Sequence, residues 1–146
     1  MSKQGHWDSS GSPLDPENAI GFVYLIVDLE TNRKYIGKKN YKGMGKANKG
    51  VQSNWKTYTS SSRSVQELIA QKAVKGFAFI ILDQYYSSGG LSFAETWTQV
   101  VCETPSNNEE FLNRFIDKVT WKVTEPVTKR HKRRLKQYLE KYPYES

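Results

Sequence analysis

Residues 20–27 (IGFVYLIV), a polar turn at residues 30–33 (ETNR) and residues 34–38 (KYIGK) decide the fold. The first run is apolar, β-branched and aromatic, the composition of a well-buried strand. The second is a shorter strand, and the polar residues between them make the pair a β-hairpin. With the turn centred on Thr31 and Asn32, pairing sets Tyr24 opposite Lys39 and Asp28 opposite Tyr35. Tyr24, Ile26, Tyr35, Gly37 and Lys39 then share one face. Two phenols and an ammonium group beside a basic loop form a surface suited to phosphate. Tyrosine is also a common strand residue for purely structural reasons.

Working outward, residues 40–53 (NYKGMGKANKGVQS) are rich in glycine and lysine without a period, and read as a long flexible basic loop. Ser64-Val65-Gln66-Glu67 is a capping-box pattern opening a helix. Its face carries Val65, Leu68, Ile69 and Lys72, and Gly76 stops it. Residues 77–82 (FAFIIL) form a third strand. A loop at residues 87–90 (SSGG) leads to a second helix opening at Ser92-Phe93-Ala94-Glu95. Residues 109–116 are expected as a short helix, and residues 119–124 (VTWKVT) alternate as a strand. The last helix covers residues 128–142, with Leu135, Tyr138, Leu139 and Tyr142 as its apolar stripe. This order predicts an α+β fold: a small, largely antiparallel three-stranded sheet flanked by helices, with a basic C-terminal helix. Residues 1–18, rich in Ser, Gly, Pro and Asp, read as a flexible N-terminal arm, and residues 19–146 as a single domain.

A chain of 146 residues is long enough for one domain with a real core. No apolar run of about 18 residues exists to span a membrane, and the first residues lack the apolar core of a signal peptide. The single cysteine, Cys102, excludes an internal disulfide framework and a multi-cysteine zinc site. A reducing, cytoplasmic location is expected. The net charge is +7, and it is concentrated. Seven lysines and no acid lie between Lys34 and Tyr58, and six Lys or Arg lie between Lys129 and Lys136. Outside these segments nine bases face fifteen acids. Such focusing points to a polyanionic partner, most simply nucleic acid. Lysine-rich loops held in solvent are the plainer alternative.

Phe22-Val23-Tyr24, ten residues, and Tyr35-Ile36-Gly37 resemble the paired tripeptides of the GIY-YIG nucleases. The order helix, strand, helix with a glutamate matches that family as well. The stretch Trp55-Lys56-Thr57-Tyr58-Thr59-Ser60-Ser61 is similar to a Trp-x-x-Tyr-x-Ser-Ser segment of phage-type members. The resemblance covers roughly Ile20 to Asn113. It departs from the pattern at Phe22, where the family has glycine, and at the helix arginine. Here the nearby arginine is Arg63, expected just before the helix, so Lys39 or Lys56 takes that role.

The resemblance implies hydrolysis of DNA phosphodiesters with one divalent ion, Mg²⁺ or Mn²⁺, per active site. Tyr24 would help activate water, its pKa lowered by nearby lysines. Tyr35 would orient the phosphate or the nucleophile. Lys39 and Lys56 would neutralise charge developing on phosphate oxygens, and Tyr58 would hydrogen-bond the phosphate. Glu95 would hold the metal, although Ser92-x-x-Glu95 read alone is a helix cap. Asn113 either supports the site or closes a short helix.

DNA contacts are expected from Lys34, Lys38, Lys42, Lys46 and Lys49, with Arg63 beside them. On the last helix they are expected from Lys129, Arg130, Lys132, Arg133, Arg134 and Lys136. Trp55 either stacks on a base or packs in the core. His131 is expected to face DNA or edge the stripe; Trp97, Trp121 and Cys102 are expected in the core. The enzyme implied is a phage-type, homing-like or DNA-degrading endonuclease. A double-strand break would need a homodimer on DNA or sequential nicking. The alternatives are a catalytically inactive binding module of the same fold and a phage factor acting on a protein.

Overall fold

The computed structural model describes residues 4–43, 47 and 49–145. Strand β1 (Gly21–Asp28) is buried along its whole length and forms the centre of a three-stranded antiparallel sheet. Strand β2 (Lys34–Asn40) lies on one side and β3 (Phe77–Tyr85) on the other. Between β2 and β3 comes α1 (Arg63–Lys72); after β3 come α2 (Ser88–Val101) and α3 (Lys129–Lys141). This is the expected α+β architecture.

Alternation along the strands gives the sheet two different faces. Val23, Leu25, Val27, Ile36, Ile80 and Leu82 join Leu91 of α2 and Leu135 and Tyr138 of α3 in an aliphatic core. Phe22, Tyr24, Ile26, Phe79 and Ile81 join Trp7, Trp55 and Val65 of α1 in an aromatic one.

The hairpin register differs from expectation by two residues: Tyr24 faces Gly37, Ile26 faces Tyr35, and Phe22 faces Lys39. The turn is residues 29–32. It is shaped by the Asp28 carboxylate accepting from the Glu30 amide at 3.1 Å and by Asn32 at φ 61°. A two-residue shift preserves side-chain alternation, so the expected face survives.

Other expectations need correction. Residues 4–18 are not a loose arm throughout: Trp7 is 2% exposed, and its indole donates to the Trp55 carbonyl at 2.6 Å. Asp8 exchanges backbone hydrogen bonds with Phe79 and Ile81, lengthening the sheet past β3. The basic loop is tied down at Tyr41, which is buried, and by bridges from Lys42 to Gln52 and Gly43 to Lys49. Lys46 lies outside the described residues.

Helix α1 is capped by the Ser62 hydroxyl, two residues before the expected box, and ends at Ala73. Helix α2 is capped by Ser87 and already includes Gly89 and Gly90. Those glycines let residues 122–125 lie against its first turn, because a Cβ at Gly89 would strike the Lys122 carbonyl. Glu125 in turn accepts from the Tyr86 and Ser87 amides.

Residues 109–116 form no helix. Glu110 and Leu112 instead bond the Lys34 backbone at the open edge of β2. Residues 119–124 find no partner strand among the described residues, and Trp121 is exposed rather than in the core.

Candidate functional site

Aromatic face, α1, α2 and the segment beside β2 meet at the β2 edge around a cleft of about 670 Å³. Its walls include Tyr24, Tyr35, Lys38, Arg63, Glu95 and Asn113. The two hairpin tyrosines arrive by strand alternation, and Gly37 makes room for Tyr24. A Cβ at Gly37 would collide with the Tyr24 hydroxyl and ring. The Tyr24 and Tyr35 rings are 6.3 Å apart, and Tyr58 lies edge-on to Tyr24 at 6.2 Å.

The Ser60 side chain acts on both hairpin phenols, favouring their ionised forms against the larger effect of burial. Ser60 is buried and holds φ at 93°, a backbone conformation that costs energy outside glycine. Ser60 belongs to the Trp55–Ser61 stretch, and the strained backbone that places its hydroxyl has no local sequence signature.

Burial drives the Tyr24 phenol well above its ordinary pKa, with Tyr58 adding to the effect, and pushes Tyr35 up to about 12. The expected lowering of Tyr24 by lysines is therefore reversed. Desolvation dominates, and both hydroxyls keep their protons at neutral pH.

Lys39 and Lys56, expected in the arginine role, do not line the cleft, whereas Arg63 does. It is the first residue of α1, its side chain 92% exposed and loosely paired with Glu67 at 3.4 Å. The Lys39 ammonium instead sits over the Tyr58 ring at 4.2 Å, and partial burial lowers its pKa. Lys56 lies over the Trp55 ring at 5.7 Å.

Glu95 lies in the second turn of α2, too far along it to cap the helix, so the capping reading fails. It is 4% exposed, and its Oε1 has no hydrogen-bond partner among the described residues. Burial pushes its carboxyl up to about 8; Asp117 acts in the same direction and Lys38 opposes it. Asp117, absent from the sequence reading, lines the same cleft within hydrogen-bonding reach of Glu95. No group of three or more His, Cys, Asp or Glu that could hold a metal exists among the described residues. A buried carboxylate oxygen left without a donor is nonetheless the kind of atom a hard divalent cation takes as ligand.

Asn113 closes no helix. Its Oδ1 accepts from the Ile36 amide at 2.9 Å and its Nδ2 donates to the Ile36 carbonyl at 2.7 Å. This two-point clamp holds the open edge of β2 between Tyr35 and Gly37.

The basic segments divide into buried structural residues and exposed ones. Lys34 is 0% exposed and ion-paired to Glu110 at 2.7 Å, so it is a structural residue and not a DNA contact. Trp55 packs against Tyr41 and Phe22 and is closed to base stacking. Arg134 is buried and donates to the Ile81 and Asp8 carbonyls. His131 is buried between Tyr85 and Thr98, and burial lowers its pKa to about 3. Lys129, Arg130, Lys132, Arg133, Lys136 and Lys49 remain exposed. Lys42 is partly covered and paired with Glu17 at 3.2 Å.

A sequence model of one family, described as "Putative endonuclease segE, GIY-YIG domain", matches residues 7–116. No curated protein matches the chain, and no solved structure does. The matched span begins at buried Trp7 and contains Tyr24, Tyr35, Arg63, Glu95 and Asn113.

Proposed function

Because the chain belongs to the GIY-YIG endonuclease family, whose members are phosphodiester hydrolases, we propose that it is a metal-dependent DNA endonuclease with its active site at the β2 edge. The observation that carries this reading is the unpartnered Oε1 of buried Glu95, in one cleft with Tyr24 and Tyr35. Glu95 would hold a single Mg²⁺ or Mn²⁺, which supplies charge stabilisation at the phosphate and a more acidic bound water.

The chain's own residues do the rest. Tyr24 and Tyr35, protonated at neutral pH, donate hydrogen bonds: Tyr24 orients the attacking water and Tyr35 a phosphate oxygen. Ser60 fixes both hydroxyls. The Arg63 guanidinium reaches the phosphate from the mouth of the cleft, where its planar fork matches two oxygens and stabilises charge gained in the transition state. Lys38 adds positive charge beside Glu95. Asn113 acts through the backbone, holding Tyr35 and Gly37 in place. Lys39 and Tyr58 support Tyr24 from behind, and Lys56 extends the basic surface.

Duplex phosphates are gripped by the exposed bases of α3 and by Lys42 and Lys49 of the loop. The Trp55–Ser61 stretch supports a phage-type, homing-like or DNA-degrading role. One active site cuts one strand, so double-strand cleavage takes a homodimer on DNA or two nicks in sequence.

Plasmid cleavage by the purified chain with Mg²⁺, Mn²⁺ or EDTA, beside Tyr24→Phe, tests the reading. Metal-dependent nicking that drops at least about a hundredfold in Tyr24→Phe is expected. Tight, salt-sensitive binding without cleavage of plasmid, branched or single-stranded DNA would overturn it in favour of a binding module.

A further inference from the structure

We propose that Asp117 is a second carboxylate of the cation site, so that this chain grips its divalent ion between Glu95 and Asp117. The inference rests on the metal-dependent reading above and adds to it a residue one position beyond the family match, which ends at 116.

Three observations converge. Glu95 is 4% exposed, lines the cleft and has an oxygen with no hydrogen-bond partner among the described residues. Asp117 lines that cleft, in an exposed position, within hydrogen-bonding reach of Glu95. The Asp117 backbone is tied twice to the helix that carries Glu95. Its carbonyl accepts from the Thr96 hydroxyl at 2.8 Å, and its amide donates to Gln99 Oε1 at 3.2 Å. Thr96 follows Glu95 directly and Gln99 is one turn on, so both tethers hold the Asp117 carboxylate beside Glu95. Residues 114–120, between the β2-edge contacts of Glu110 to Asn113 and the packing of residues 122–125 on α2, have neither helix nor strand. Within them the two side-chain bonds to α2 position Asp117.

Two carboxylates in contact repel unless a proton or cation lies between them. A hard divalent ion takes both as oxygen ligands and keeps waters in its remaining positions. Glu95 supplies the buried ligand and Asp117 the solvent-facing one, which leaves the open side of the cleft for phosphate.

The test is a calorimetric titration of the DNA-free full chain with MnCl₂, with thermal unfolding in Mn²⁺ and in EDTA, for wild type, Asp117→Asn and Glu95→Gln. One Mn²⁺ per chain is expected for wild type. Asp117→Asn should weaken binding by at least about tenfold, and Glu95→Gln should abolish it. The Mn²⁺-induced rise in unfolding temperature should shrink in the same order. In EDTA both variants should melt no lower than wild type, because an amide of the same shape does not need the proton or cation that the paired carboxyls need between them. Wild-type Mn²⁺ affinity in Asp117→Asn, with binding lost in Glu95→Gln, would overturn the second carboxylate and leave the Glu95 site standing. Wild-type affinity in both variants would remove the cation site itself. No heat and no thermal shift for wild type at about 10 mM Mn²⁺ would overturn a preformed two-carboxylate site.

Discussion

Thr98 and Glu95 sit three residues apart on α2, both buried, and their surroundings differ in kind. The Thr98 hydroxyl donates to the Ala94 carbonyl at 2.6 Å and accepts from His131 Nε2 at 2.7 Å. His131 Nδ1 accepts from the Tyr85 hydroxyl at 2.9 Å, which also receives the Thr128 amide at 3.2 Å. This set of bonds between α2, β3 and α3 is closed: both imidazole nitrogens are used and the ring is neutral. Around Glu95 the bonding stays open, with one oxygen unpartnered and a second carboxylate close by. A closed polar cluster specifies packing. An open one at a cleft wall is a ligand site waiting for its charge to be met. Thr104 also leaves a hydroxyl unpartnered, but it is uncharged and does not border the cleft.

The contrast can be broken from either side. On the open side, Asn113→Ala releases the Ile36 amide and carbonyl. Cleavage should fall by about ten- to a hundredfold through misplacement of Tyr35, read as kcat in a single-turnover assay with DNA affinity unchanged. An unaltered rate would make the clamp purely structural.

On the closed side, His131→Ala leaves a cavity and orphans the Tyr85 and Thr98 hydroxyls. It should cost about 2–4 kcal/mol of stability in urea unfolding. Metal dependence of cleavage by the folded fraction should be unchanged. A variant as stable as wild type would show that the closed cluster contributes nothing.

The same histidine sets a pH dependence. Above its ordinary pKa of 6.5 the ring is neutral in both folded and unfolded chains. Below it the unfolded chain takes up a proton that the folded chain refuses until about pH 3. Stability should therefore fall by about 2 kcal/mol between roughly pH 6.5 and 5 on account of His131. His6, lowered by burial, acts in the same direction. A slope unchanged in His131→Gln would refute the assignment.

The smallest effect belongs to the exposed bases. Lys136→Ala should leave stability within about 0.5 kcal/mol and reduce the salt slope of DNA binding by about 1. An unchanged slope would remove Lys136 from the DNA surface.

The sequence reveals the sheet because period two survives errors of register. The hairpin is shifted by two residues, and Tyr24 and Tyr35 still reach one face. The start of α2 is hidden because glycine reads as loop. Gly89 and Gly90 are helical for the sake of Glu125 and Lys122, more than thirty residues away. Lys34, Arg134 and His131 look like surface charge in their basic runs, and their partners Glu110, Ile81 and Tyr85 lie far off in the chain. Asp117 has no motif around it; its tethers to Thr96 and Gln99, some twenty residues back in the chain, bring it to the site.

The most direct measurement compares Glu95→Gln with wild type in three assays: plasmid cleavage in Mg²⁺ and Mn²⁺, duplex affinity in EDTA, and melting in EDTA. Cleavage should fall at least about a hundredfold, with DNA affinity retained and melting unchanged or higher. Cleavage near the wild-type rate would contradict the account, because the open carboxylate on α2 would then have no part in the chemistry.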